Sequence, residues 1–186
     1  MTQIYQQFAY NNLLANHRLL SAAEALGPGE FEAPRTSFFP SIKETLNHNI
    51  TVDWFYVDAL EGGTLGAKAW EDPAPFNKAS DLKKAQREVD FRLIRFCATL
   101  TLESLTRQMK FYRFDEPLGN VLSHLFQHQF HHRGQAHAMF SGSSAPPPQL
   151  DEFMFASDHA DRVSDLKELG LTEQDLPNFQ GITKDE

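Results

Sequence analysis

Apolar residues recur at every third or fourth position along several long stretches of the chain, which is the spacing of amphipathic helices. The first stretch covers residues 2 to about 26, with Thr2 in position to cap it, and the run Gly27-Pro28-Gly29 stops it. The second begins at Ser41 and continues to about residue 60, and Glu44 follows Ser41 with the spacing of a capping box. The pattern therefore predicts two long helices in the first third of the sequence.

Two further long helices are predicted in the middle of the chain. The third covers residues 81 to about 100, and Ser80 is its predicted cap. The fourth starts near Pro117, a residue favoured in the first turn of a helix, and ends near residues 141–142. Four long helices joined by loops, with no internal repeat, predict an all-α fold, an antiparallel four-helix bundle with long connecting loops.

The connections carry weaker patterns. Residues 62–78 contain Gly, Pro and Trp and are predicted to form a long ordered loop, whereas polar and apolar residues alternate within 100–116, which predicts an extended or short-stranded connection. After a proline-rich turn, the tail holds a short apolar piece at 153–155 and a predicted helix at 160–169. The final residues carry no such pattern.

Composition and charge narrow the functional classes. The 186 residues carry a formal net charge of -8 and no long run of Lys or Arg, so nucleic acid is not expected as the main partner. The single cysteine, Cys97, allows neither an intramolecular disulfide nor a cysteine-based zinc motif. Because the sequence shows neither a signal peptide nor an apolar run long enough to span a bilayer, we expect a cytoplasmic protein without a membrane partner.

Histidines are concentrated in the predicted fourth helix. Of the eight in the chain, five fall within residues 124–137. Residues four apart share a helix face, so His128 pairs either with His124 or with His132, and each pair can reach one metal ion. His128 and His132 border the apolar arc of the helix, while His124 and His131 lie further round. The pair formed by His128 and His132 is therefore predicted to point into the bundle.

His48 is the candidate for a third ligand, because it shares the apolar face of the second helix with Val52 and Phe55. A single histidine on an apolar face is more often a hydrogen-bonded core residue, but an inward-facing pair on another helix favours metal binding. Three imidazoles suit a divalent transition metal and leave a coordination position open for water or substrate. Glu44, one turn before His48, is either a capping residue or a hydrogen-bond acceptor for the His48 ring.

Four other polar residues lie near these ligands in the helical pattern. Tyr56 and Gln135 are candidates for holding a substrate or a bound water, although packing explains both positions equally well. Arg133 is either an anion-binding group or the partner of a carboxylate on a neighbouring helix. His137 points away from the predicted ligands and is predicted to be a surface or inter-helix residue.

Several segments resemble the DinB/YfiT-like family of metal-binding four-helix-bundle proteins. They are SIKETLNHNITVDWFYVDAL at 41–60, HLFQHQFHHRGQAHAMF at 124–140, FAYNNLLANHRLL at 8–20 and DEFMF at 151–155. The resemblance implies that one histidine of the second helix and an H-x-x-x-H pair of the fourth bind zinc, nickel or a similar divalent ion. Placed on this chain, those ligands are His48, His128 and His132.

The same resemblance sets expectations for domains and function. It covers residues 1–156, which are predicted to form the metal-binding bundle, and leaves 157–186 as a helical extension packed on it or trailing from it. Family members are often homodimers, and some are transferases or isomerases that use low-molecular-weight thiols. A small-molecule substrate, a thiol co-substrate and a homodimer are therefore expected here.

Two functions of different classes follow from these observations. The first is a metal-dependent enzyme that transfers or isomerises a small molecule through an activated thiol or water, and the alternative is a metal-stabilised bundle with a stress-related binding or sensing role. A di-iron bundle is disfavoured because neither His128 nor His132 follows a Glu at the required spacing of three residues. The catalytic residues beyond the metal ligands remain unassigned by the sequence.

Overall fold

The computed structural model of the protein describes residues 2–151 and 155–177. Within these ranges the chain forms six α-helices and one β-hairpin, in the following order along the sequence. The elements are α1 (Thr2–Glu24), α2 (Ile42–Leu60), α3 (Ala79–Ala98), α4 (Leu102–Thr106), β1 (Gln108–Phe111), β2 (Phe114–Pro117), α5 (Leu118–Phe140) and α6 (His159–Leu169). The all-α bundle predicted from the sequence is confirmed.

Four long helices form the bundle, in which α1 packs against α3 and α5 while α2 packs against the other side of the same two helices. Each contributes its apolar stripe to one continuous core. Fully buried core side chains include Leu13, Leu14, Leu19, Ile50, Leu82, Leu93, Leu122 and Phe126. None of the helices in residues 2–151 and 155–177 has the length and hydrophobicity that crossing a membrane requires.

The starts of two helices show how far the capping predictions hold. Ser41 caps α2 as predicted, because its Oγ accepts a hydrogen bond from the Glu44 backbone N–H at 3.1 Å. The prediction that Ser80 caps α3 is wrong. The helix starts two residues earlier, at Ala79, and Lys78 occupies the cap without a side-chain hydrogen bond. The Lys78 carbonyl accepts from the Leu82 N–H to close the first turn. Ser80 thus lies inside that turn.

The connection between α3 and α5 is more structured than its sequence pattern predicted. The predicted extended segment is present as the antiparallel pair β1 and β2, in which Met109 lies opposite Glu116 and Lys110 opposite Asp115. Before it stands the short helix α4, which the sequence did not predict and which Thr101 caps. The loop between α2 and α3 contains a single 3₁₀ turn, Gly66–Trp70.

The predicted C-terminal helix is confirmed as α6, and it packs against α1. The Arg18 guanidinium pairs with Asp165 at 2.6 Å, and the His17 ring lies 3.2 Å from the Glu168 carboxylate. Of the predicted apolar piece at 153–155, only Phe155 is within the described residues, and it is exposed. The chain end beyond residue 177 is also outside them. The division into domains at residue 156 stays a prediction.

Candidate metal centre

The candidate centre is formed where α2 packs against α5. His48 projects from α2, and His128 and His132 project from α5 one helical turn apart. One ring nitrogen from each histidine can be chosen so that the three atoms lie within 4.8 Å of one another. The Nε2 atoms of His48 and His128 are 3.0 Å apart, and the His48 ring centroid lies 4.6 Å from that of His132. The structure thus brings together all three histidines that the sequence selected.

Burial keeps these rings neutral. It lowers the pKa of His48 to about 4, with a further contribution from the nearby His132. Burial also lowers the pKa of His128 to about 3, and the surrounding histidines add to this effect. The pKa of His132 is lowered as well, again mainly by burial. Near neutral pH all three imidazoles therefore present free lone pairs, as metal ligands must.

The arrangement fits a divalent transition-metal ion. Neutral imidazoles that converge so closely direct their lone pairs at the same region, and these lone pairs repel one another. A cation bound between the three rings would relieve this repulsion. The buried Nδ1 of His128 has no hydrogen-bond partner among the described residues. No carboxylate or cysteine joins the cluster within the same part of the chain. The donor set is therefore purely imidazole, which zinc and nickel both accept.

Gln135 holds the ring of His132 in a fixed orientation. The His132 Nδ1–H donates to Gln135 Oε1 at 2.8 Å, so the lone pair of His132 is on Nε2. The Gln135 amide in turn donates to Nε2 of His131 at 3.0 Å. Gln135 is thus the hydrogen-bond partner of a candidate metal ligand, and the substrate-holding role that the sequence offered as one alternative stays a prediction. Its position three residues after His132 was the only signal for this hydrogen bond.

Three other candidates from the sequence have structural roles. The Tyr56 hydroxyl is hydrogen-bonded to Nδ1 of His124, whose ring stacks on it, and burial raises the pKa of Tyr56 to about 12. Glu44 belongs to the cap of α2, because its Oε2 accepts from the Ser41 hydroxyl, and within the described residues no hydrogen bond joins it to His48. His137 lies 2.8 Å from the Pro148 carbonyl and fastens the proline-rich turn to α5, in agreement with its predicted inter-helix position.

Arg133 is buried on the opposite side of α5, in a polar network within the bundle core. Its guanidinium donates to the side-chain oxygens of Asn12 and Asn16, and the amides of these two residues donate to Asp90. Since Arg133 is only 4% exposed, it is a structural counter-charge and not an anion-binding group at the centre. One of the two predictions for Arg133 was a carboxylate partner on a neighbouring helix. Asp90 of α3 is that carboxylate, and the two asparagines connect it to the guanidinium.

Phe39 belongs to the centre, although the sequence analysis did not select it. Its ring centroid lies 4.4 Å from that of His48 and 5.5 Å from that of His132. It comes from the loop before α2, where no periodic pattern relates it to the histidines. The only sequence feature that marks Phe39 is the run Phe38-Phe39-Pro40, of which it is part. Phe39 shields the ligands from one side, while His48 and His128 remain partly exposed.

Comparisons with known proteins agree with this fold. The sequence profile of the DinB family matches residues 1–163. The fold is similar to that of a DinB-like protein from Bacillus cereus ATCC 10987, with a TM-score of 0.57 and 17% identity over 76% of this chain and 95% of the other. It is also similar to the DinB-like protein YjoA from Bacillus subtilis, with a TM-score of 0.53 and 15% identity over 75% and 96% of the two chains.

No curated protein sequence matches the chain significantly. At the identities just given, the two solved structures support the fold alone. The family profile, in contrast, extends over most of the sequence, from α1 into α6, and includes all three converging histidines. The chain therefore belongs to the DinB family.

Proposed function

We propose that His48, His128 and His132 bind one divalent transition-metal ion, zinc or nickel, and that the protein is a metal-dependent enzyme acting on a small molecule. The reaction class that we propose is thiol-dependent S-transfer or isomerisation. The observation that carries the proposal is the convergence of three neutral imidazole rings from two helices, with ligand atoms within 4.8 Å of one another. Family membership supports the fold, and the matched range includes all three histidines.

Three protein ligands are the number found in catalytic sites, whereas closed structural sites use four. A divalent ion bound by three imidazoles supplies a Lewis acid that lowers the pKa of a coordinated water or thiol toward neutrality. The chain's own contribution is to keep the rings neutral by burial and to fix His132 through Gln135. These two features prepare the ligands before any ion arrives.

The sulfur in such a reaction would come from a small thiol. Cys97, the only cysteine of the chain, is fully buried in the core, and burial raises its pKa to about 12. A protonated and inaccessible thiol is a poor nucleophile. We therefore propose a low-molecular-weight thiol as co-substrate. We further propose that the protein acts in the cytoplasm as a homodimer and without nucleic acid, in keeping with its acidic composition and its single cysteine.

Cobalt(II) substitution tests the proposal, because this ion reports its own coordination. The cobalt-loaded protein is titrated with 2-mercaptoethanol while its visible and near-ultraviolet absorption is recorded. We expect a new thiolate-to-cobalt charge-transfer band and a change in the d–d bands. Transfer of the thiol to a small electrophile such as 1-chloro-2,4-dinitrobenzene is assayed in parallel with the zinc and nickel forms.

The matched control is His124→Ala, which removes an exposed histidine of the same helix and leaves the three proposed ligands. It should show the same cobalt spectrum and the same thiol band as the unmodified protein. A cobalt spectrum that no thiol changes would contradict an open coordination position. That result would favour the alternative function, a metal-stabilised bundle with a stress-related binding or sensing role.

A further inference from the structure

A cleft of about 490 Å³ lies directly beside His48. It is bounded by the outer face of α2, by the loop that precedes this helix and by the loop that follows the Gly66–Trp70 turn. Its volume is in the range of small-molecule sites. Most of its lining is apolar, and the residues concerned are Phe39, Pro40, Val52, Trp70, Pro73 and Ala74.

The cleft is continuous with the candidate metal centre. His48 belongs to both, and Phe39 lines the cleft while its ring also touches those of His48 and His132. A molecule in the cleft would therefore lie against one proposed ligand and against the aromatic ring that covers a second. This position is next to the group on which the proposed reaction depends.

The side chains of the cleft define the chemistry that it accepts. Trp70 presents a partly exposed ring, 38% accessible, which is held in place by Phe55 at a centroid distance of 4.5 Å. The Thr51 hydroxyl already donates to the His48 carbonyl, so it offers little hydrogen bonding to a ligand. Glu44 is the one charged side chain among the described residues that line the cleft. Flat apolar groups are thus favoured, and anionic groups are repelled.

We propose that this cleft binds the second substrate of the enzyme, an uncharged or cationic small molecule with a flat apolar group such as an aromatic ring. The assignment rests on the proposed function, because it places this molecule beside the metal-bound thiol. Low-molecular-weight thiols are polar and gain little from an apolar lining, so the cleft suits the acceptor better than the thiol. Trp70 and Phe39 form the two aromatic walls that contact the acceptor.

Fluorine NMR tests the cleft without requiring any turnover. The probes are 4-fluorobenzyl alcohol, which is uncharged, 4-fluorobenzylamine, which is cationic, and 4-fluorobenzenesulfonate, which is anionic and a weak metal ligand. Each is titrated with the zinc-loaded and the cobalt-loaded protein. We expect the first two probes to broaden on binding and the sulfonate to bind at least about fivefold more weakly. The cobalt-loaded protein should also increase the paramagnetic relaxation of the fluorine nucleus, because the bound probe lies near the candidate metal centre.

Two variants of the cleft and one matched control locate the binding. Ala74→Leu fills the cleft and Trp70→Ala removes an aromatic wall, and each should weaken 4-fluorobenzyl alcohol binding by at least about fivefold. Phe114→Ala removes an exposed aromatic ring that lies on the hairpin, and binding should not change. Absence of broadening, or binding that survives both cleft variants, would overturn the assignment.

Failure of the cleft assignment and failure of the proposed function give different results in these experiments. If the cobalt protein shows no thiol band but the probe still binds and Ala74→Leu abolishes this binding, the cleft is a ligand site and the proposed reaction is wrong. If the thiol band appears but the probe does not bind or gains no cobalt relaxation, the reaction stands and the cleft assignment is wrong. If the protein binds no cobalt, titration of the metal-free protein and of the same variants with the fluorinated probes still decides whether the cleft is a ligand site.

Discussion

Replacing each of two buried aspartates by asparagine should destabilise the bundle to very different extents. Asp53 and Asp90 are 1% and 2% exposed and share the amide of Gln86, which donates to both. Asp90 accepts three amide donors, from Asn12, Asn16 and Gln86. Near both carboxylates stands the guanidinium of Arg133, so the core holds one fixed positive charge and two groups that can carry a negative one.

We predict that Asp90 carries the negative charge near neutral pH and that Asp53 holds a proton. Burial raises the pKa of Asp90 to about 6, which leaves it charged at pH 7. Burial and the adjacent Asp90 raise the pKa of Asp53 well above its ordinary value. The side-chain oxygen of Gln129 is buried without a partner, and its amide nitrogen is placed against Asp53.

The two substitutions therefore differ in magnitude. Asp90→Asn leaves the buried Arg133 without its counter-charge and sets an amide against three amide donors, so it should cost about 3–5 kcal/mol of unfolding free energy. Asp53→Asn replaces a neutral acid by a neutral amide of the same shape, and should cost less than about 1 kcal/mol. With a urea m-value of about 2 kcal/mol/M, the midpoints should fall by about 2 M and by less than about 0.5 M.

Urea unfolding followed by circular dichroism measures both, with Asp115→Asn as the control because Asp115 is exposed and pairs with Lys110 on the hairpin. The folded protein binds protons at Asp90 and Asp53 more tightly than the unfolded chain does. The contribution of Asp90 to stability should therefore be lost as pH rises from about 4 through about 6, and Asp53 should add a further loss in the same direction. Asp53→Asn should flatten this decline. Equal losses for the two variants, or a larger loss for Asp53→Asn, would refute the assignment of the charge to Asp90.

Four further results are expected. Gln135→Ala should lower zinc affinity by about 10–100-fold, because the His132 ring loses its hydrogen-bond acceptor. Gln127→Ala, on the exposed face of the same helix, should leave zinc affinity unchanged, and equal effects of the two substitutions would argue against the role of Gln135. Phe126→Ala should cost about 3–5 kcal/mol in urea unfolding, against less than about 0.5 kcal/mol for Phe114→Ala. Removal of metal by a chelator should leave most of the helical circular dichroism, because the core does not depend on the ion, and collapse of the signal would show a structural metal. Light scattering at micromolar concentration should give the mass of a dimer, and a monomer would contradict that proposal.

The periodic parts of the sequence predicted the structure well. Residues four apart on a long helix share a face, and the border of the apolar arc selected His128 and His132 over His124 as the pair that points into the bundle. His48 followed from the apolar face of α2 in the same way. Helix α4 was missed because five residues are too few to show a helical period.

Features that depend on tertiary packing were not predictable in this way. Phe39 reaches the histidines through a loop whose path is set by backbone hydrogen bonds, from Arg35 to Pro40 and from Lys43 to Phe31. No sequence spacing encodes that path. The polar network around Arg133 was hidden for a different reason, since Asn12 and Asn16 are polar residues on the buried face of α1, where periodicity predicts apolar ones.

The most direct test of the central claim is the zinc content of the purified protein after loading and dialysis, measured by elemental analysis. We expect about one zinc ion per chain in the unmodified protein and nearly none in His48→Ala, His128→Ala or His132→Ala. His124→Ala and His131→Ala remove histidines of the same helix that are outside the converging set, and should keep full occupancy. Full occupancy in His128→Ala and His132→Ala, with loss in His124→Ala, would contradict the proposed centre.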